Sequence, residues 1–197
     1  MGNEIISNIN VYRCASKRSF EKYKVVEAKI KELLNLPNSF LLGKDYDEML
    51  TEYINQSNSH FYSCIVFQAM AIEAFLNEYI FVRLGKKYFE ALETLSPQDK
   101  LVVGCRIITG KEFPKDNKAF EIFKSTFKYR NNLVHFKPRN VDLSTIDSIE
   151  QLYYTDCNLD EIASAYNKIV EQITIIDECF DEQYSVSIPD DFWNVEY

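Results

Sequence analysis

The chain is short of the residues that bend a backbone. Its 197 residues include only five glycines and five prolines. That is too few for a β-rich fold with many tight turns, so long helices are expected. The five cysteines (Cys14, Cys64, Cys105, Cys157 and Cys179) are odd in number and scattered, with no pair at a metal-binding spacing. A disulfide framework or a zinc site is therefore not expected, and a reducing cytoplasm is the natural location. No apolar run follows Met1, so no secretory signal is expected. The most apolar stretch, residues 61–82, is interrupted by Gln68, Glu73, Asn77 and Glu78. It reads as a buried helix and not a membrane span, and no membrane partner is expected. A phosphate-cradling glycine loop, a nucleophile elbow and a metal-ligand cluster are all missing, so no metal and no cofactor are expected. Histidine is scarce too, with only His60 and His135.

What is present points to a packed helical domain. Apolar residues make up 46% of the chain and aromatics 14%, enough for a sizeable core in one domain without covalent staples. The net charge of -8 hides a strong asymmetry. Residues 1–110 balance 13 basic against 13 acidic side chains, residues 111–140 carry 8 basic against 3 acidic, and residues 141–197 set Lys168 alone against 14 acidic groups. An acidic protein can still bind an anion where its positive charge is concentrated. Lysines that merely keep a helix face soluble would leave the same trace.

Taken in order, residues 1–19 show no clear period and read as a lead-in. Residues 20–184 read as the bundle, and 185–197 as an acidic, aromatic tail. Ser19 is placed to cap a helix from about Phe20 to Leu36, with Tyr23, Val26, Ile30, Leu33 and Leu34 at helical spacing. Asp45 or Asp47 opens a second helix, and Gln56-Ser57-Asn58-Ser59 is either a break or a polar turn. Residues 60–84 then form a central helix, apolar on nearly every face, with His60 at its start as a structural or capping residue. Its exceptions, Glu73 and Asn77, share one face. A carboxylate in so apolar a setting needs a partner, for which Arg130 is the expected one, unless Glu73 marks a solvent-facing strip. A short helix follows Gly85. Ser96-Pro97-Gln98-Asp99 starts another, which stops at Gly110. Asn117 caps a helix that runs to about Lys137 and is broken by Pro138. Ser148–Thr155 suits a short strand or a poor helix. Asn158-Leu159-Asp160-Glu161 is a capping box for a last helix carrying Ile162, Ala165, Tyr166, Ile169, Ile173, Ile176 and Phe180. The expected fold class is all-α, an up-and-down bundle of four to five main helices with short accessory helices.

The helix after Asn117 holds the one segment that looks chemical. Its apolar stripe, Phe120, Phe123, Phe127 and Val134, is interrupted by Arg130 and Asn131. At about 100° per residue, Arg130 and His135 lie about 140° apart and straddle that stripe. A single helix does not aim both at one small anion. Two such helices meeting at a two-fold axis would supply arginine from one and histidine from the other, so a homodimer with a shared cleft is the economical expectation.

Near the end of that helix, Arg130-Asn131-Asn132-Leu133-Val134-His135 resembles the signature of the HEPN superfamily. Ala71-Ile72-Glu73-Ala74-Phe75-Leu76-Asn77 is similar to that family's second core helix. The resemblance spans roughly residues 58 to 138, plus the last helix. It implies a dimeric four- to five-helix bundle, and very often a metal-independent endoribonuclease acting as a bacterial toxin or phage-defence effector. It also implies RNA as substrate and an antitoxin or regulatory protein as a possible partner. In one branch, paired with a nucleotidyltransferase antitoxin, a tyrosine stands two residues after the histidine; here Lys137 does, which sets that mechanism apart. The site it implies has Arg130 and His135 as catalytic groups with Asn131 orienting His135 or the phosphate. Glu73 and Asn77 support them, and Lys124, Lys128, Lys137 and Arg139 hold RNA. The other expectation consistent with the same residues is a non-catalytic HEPN-like dimer that binds nucleic acid, a nucleotide or a protein.

Overall fold

The computed structural model describes residues 7–35, 44–135 and 157–180. Within them the protein is all-α, with seven helices and no strand. They are α1 (Ile9–Leu34), α2 (Lys44–Leu84), α3 (Lys86–Leu92), α4 (Pro97–Thr109), α5 (Lys118–Val134), α6 (Leu159–Ala163) and α7 (Ala165–Ile176). Helices α1, α2, α5 and the α6–α7 pair make an up-and-down bundle, with α3 and α4 as accessories near the C-terminal end of α2.

The axis of the bundle is α2. At 41 residues it is about 60 Å long at 1.5 Å per residue. By length and composition its Tyr46–Leu84 stretch is apolar enough to cross a membrane, and half of its most apolar window is buried within the protein. Two apolar clusters flank it. The larger joins Ile72, Phe75, Leu76 and Tyr79 to α4, α5 and α7. The smaller joins Phe61, Cys64 and Ile65 to Tyr129, Leu159 and Ile162. Helix α5 therefore runs antiparallel to α2. Helix α7 runs parallel to it, because Gln68 donates to the Ala163 carbonyl (3.2 Å) and Tyr79 donates to Asp177 (2.7 Å) further along both helices.

Two sequence boundaries are corrected here. The first helix begins at Ile9, not near Phe20, so most of the supposed lead-in is bundle. Ile9 and Tyr12 pack on the larger cluster. The period was hidden by Ser16, which is 2% exposed and donates its hydroxyl to the Cys64 carbonyl at 3.1 Å. Ser19 lies inside this helix and caps nothing. The second helix passes unbroken through Gln56–Ser59. Ser57 is buried against α1, and its hydroxyl donates to Glu27. A polar cluster that looked like a turn is thus a helix face satisfied by its neighbour. His60 accordingly lies mid-helix and caps nothing; partial burial, then nearby Lys22, holds its pKa below the usual value.

Local signals elsewhere match the observed ends. Ser96 accepts from the Asp99 amide (3.1 Å), with Pro97 in the first turn, and Gly110 closes α4 at φ 71°. Asn117 accepts from the Phe120 amide at 2.9 Å, and Asn158 from the Glu161 amide at 3.2 Å. The last helix was expected to continue through Phe180. It breaks at Ser164 and ends at Ile176, and Asp177 caps it. Phe180 still reaches the core, where its ring meets those of Phe75 and Tyr79. Asp177 is 4% exposed and accepts from Tyr79 Oη (2.7 Å), Arg83 Nη2 (3.2 Å) and the Cys179 amide (3.0 Å). This clamp ties the end of α7 to the end of α2.

Candidate functional site

Helix α5 carries the arginine–histidine segment, and its position follows from residues at its start and middle. Asn117 caps it and also donates through Nδ2 to Gln172 on α7 at 2.8 Å. Phe120, Phe123, Thr126 and Tyr129 form its inward stripe. The buried Thr126 hydroxyl returns a hydrogen bond to the Ile122 carbonyl (2.8 Å), so it costs the core little. The stripe differs from the expected one at its end. Val134 is 51% exposed, while Leu133 packs on the smaller cluster. Thr126 and Tyr129 carry the inward face past the Arg130–Asn131 interruption, leaving those two side chains at its edge.

A groove of about 360 Å³ opens beside this edge. One wall is Glu73 on α2, a second is the first turn of α4 at Ser96 to Gln98, and the third is α5. Phe123 and Phe127 form the aromatic floor, their ring centroids 4.8 Å apart. Lys124, Lys128, Arg130 and Asn131 line the α5 side. Both lysines are exposed, with their ammonium groups 5.4 Å from the Phe120 ring centre and 5.9 Å from that of Tyr129. Cationic side chains of α5 thus border an apolar floor, an arrangement that attracts anionic ligands carrying a flat ring.

The structure brings Arg130, Asn131, Glu73, Lys124 and Lys128 to one groove. It leaves His135 outside, exposed at the C-cap of α5, with its backbone amide bonded to the Asn131 carbonyl at 2.9 Å. The Asn131 side chain accepts from Arg130 Nη1 (2.9 Å), so it orients the arginine and not His135. The expected Glu73–Arg130 pair is not made, and Glu73 forms no ion pair with any described residue. Asn77, one turn along α2, accepts from the ammonium of Lys100 at 2.9 Å. Lys137 and Arg139 lie outside the described residues, as do Ser148–Thr155 and the 185–197 tail.

Sequence reasoning missed three residues: Ser96 and Gln98 at the groove, and Lys100, which donates to Asn77. Ser96 and Gln98 were seen only as a helix start, although that start is a wall of the groove. Lys100 is 4% exposed. Its inward position was legible, since Lys100, Leu101, Gly104 and Cys105 recur at helical spacing and all are buried. Among the described residues no three His, Cys, Asp or Glu side chains stand close enough to hold a metal ion. Comparison with protein-family models, curated proteins and solved structures finds no match.

Proposed function

We propose that the chain is a HEPN-type, metal-independent endoribonuclease, a toxin or phage-defence effector of the cytoplasm that works as a homodimer. The observation that carries this reading is the end of α5, where Arg130 enters a cation-lined groove and His135 stands exposed one turn beyond it. The chemistry suits these two side chains. A base takes the proton of the RNA 2′-hydroxyl, and that oxygen attacks the adjacent phosphorus. The bond to the 5′-oxygen breaks, and the leaving oxygen collects a proton. The products are a 2′,3′-cyclic phosphate and a 5′-hydroxyl end. Imidazole exchanges protons near neutral pH, and the guanidinium fork of Arg130 matches the oxygens of a charged phosphorane. Asn131 holds that fork. His135 lies outside its own chain's groove, so the reading places His135 of one protomer at the groove of its partner. Lys124 and Lys128 would hold flanking phosphates, with an antitoxin or regulatory protein controlling access.

The test follows from the symmetry. Arg130→Ala and His135→Ala each abolish cleavage of RNA in the presence of EDTA. Mixed in equal amounts and allowed to exchange, they recover about one quarter of wild-type activity, because half of the dimers hold one intact composite site. A wild type no faster than either variant refutes the ribonuclease. Inactive single variants that gain nothing on mixing refute the shared site. A second reading, a non-catalytic dimer that binds nucleic acid or a nucleotide, is favoured by the separation of His135 from the groove. It predicts RNA binding that needs Arg130 and ignores His135.

A further inference from the structure

We propose that the groove is a guanine-nucleotide subsite, in which Phe127 carries the base and Glu73 reads its edge. This deepens the ribonuclease reading by naming the nucleotide beside the scissile phosphate. Four observations converge on it. First, the size: about 360 Å³ is at the small end of ligand pockets and suits one nucleotide and not a duplex. Second, the floor: Phe123 is 1% exposed, while Phe127 is only partly buried, so Phe127 offers a ring for stacking. Third, the placement of charge. Around α5, Phe127 falls between Lys124 and Lys128 on one side and Arg130 on the other, so a base over Phe127 has cations for phosphate on both flanks.

The fourth observation selects the base. Among the described residues, Glu73 brings the one carboxylate to a groove otherwise lined by cations, amides, rings and the Ser96 hydroxyl, and pairs with no described cation. A carboxylate accepts hydrogen bonds only. Guanine presents two adjacent donors, N1–H and the N2 amino group, which match its two oxygens. Adenine and cytosine offer one amino donor beside an acceptor, and uracil offers one N–H between two carbonyls. The remaining guanine acceptors, O6 and N7, face amide donors. The Asn131 oxygen is taken by Arg130, which leaves its amino group free to donate, and Gln98 stands on the α4 wall.

Titration calorimetry of the full chain with 5′-GMP and 5′-UMP tests this. Wild type binds GMP at least about tenfold more tightly, the size expected of one bidentate contact to a base edge. Glu73→Gln, nearly isosteric, brings the ratio towards one and leaves UMP binding within about twofold. Phe127→Leu weakens both nucleotides. Circular dichroism confirms that the variants fold. Equal affinities in wild type, or a preference that survives Glu73→Gln, overturn the subsite. Selective GMP binding by a protein that leaves RNA intact sustains the subsite and removes the ribonuclease. Cleavage by a wild type with no GMP preference removes the subsite alone.

Discussion

Asp177 offers the sharpest test of how the bundle is closed. Its carboxylate accepts from the Tyr79 hydroxyl, the Arg83 guanidinium and the Cys179 amide, and both Asp177 and Tyr79 are buried. In Asp177→Ala each donor fares differently. Arg83 keeps the Cys179 carbonyl at 2.8 Å and its side chain is 22% exposed, so it turns to water at little cost. The Tyr79 hydroxyl, inside the core, loses the carboxylate it donates to. An unsatisfied buried donor costs about 1–3 kcal/mol, and the lost bonds to a charged acceptor add about as much again. The expected loss is therefore about 3 kcal/mol. With a urea slope of about 2 kcal/mol/M, the unfolding midpoint falls by about 1.5 M, read by far-ultraviolet circular dichroism. Tyr79→Phe placed in the Asp177→Ala background removes the hydroxyl that lost its carboxylate and regains about 1–2 kcal/mol. A loss below about 1 kcal/mol for Asp177→Ala, or no recovery in the double variant, would refute the assignment of the clamp.

Three further outcomes are expected. Burial first, and then the charge of Asp177, hold the Cys105 thiol up at about 12 from an ordinary 9.0; burial and the bond to Asp177 raise the Tyr79 hydroxyl as well. The fold keeps both protons where the unfolded chain releases them, so stability is full below about pH 9 and falls as pH rises towards 12. Urea midpoints across that range should show the fall, and Cys105→Ala should make it shallower. Gly110→Ala should cost about 1 kcal/mol, because its φ of 71° strains any side chain. No atom lies within 4 Å of the added Cβ, so a loss beyond about 3 kcal/mol would mean that something other than backbone strain acts there. Lys100→Met should leave stability unchanged or raise it by about 1 kcal/mol, since a buried ammonium bonded to one neutral amide recovers little of its desolvation. A drop in thermal midpoint equivalent to more than about 2 kcal/mol would show that the ammonium contributes to the fold.

Local chemistry was readable wherever a hydrogen bond closes within three or four residues. Ser96, Asn117 and Asn158 each accept from an amide three residues on, and Gly110 adopts the one backbone conformation that other residues resist. The nearly all-round apolar character of the central part of α2 and the aromatic run of α5 likewise disclosed a buried axis and a packed face, and hence an all-α bundle. Polar residues inside helices were misread at Ser16 and at Ser57. Each is buried against an element dozens of residues away, and that partner turns an apparent break into a continuous helix.

The candidate site divides in the same way. Arg130, Asn131 and His135 are an arrangement along one helix, so spacing alone determined that arginine and histidine point apart. Only the tertiary structure decided that Arg130 shares a groove with Glu73 and the first turn of α4 while His135 does not, and that Asn131 serves the arginine. The reason is physical. A helix's own period sets directions around its axis, whereas what a side chain meets in that direction depends on how distant helices pack.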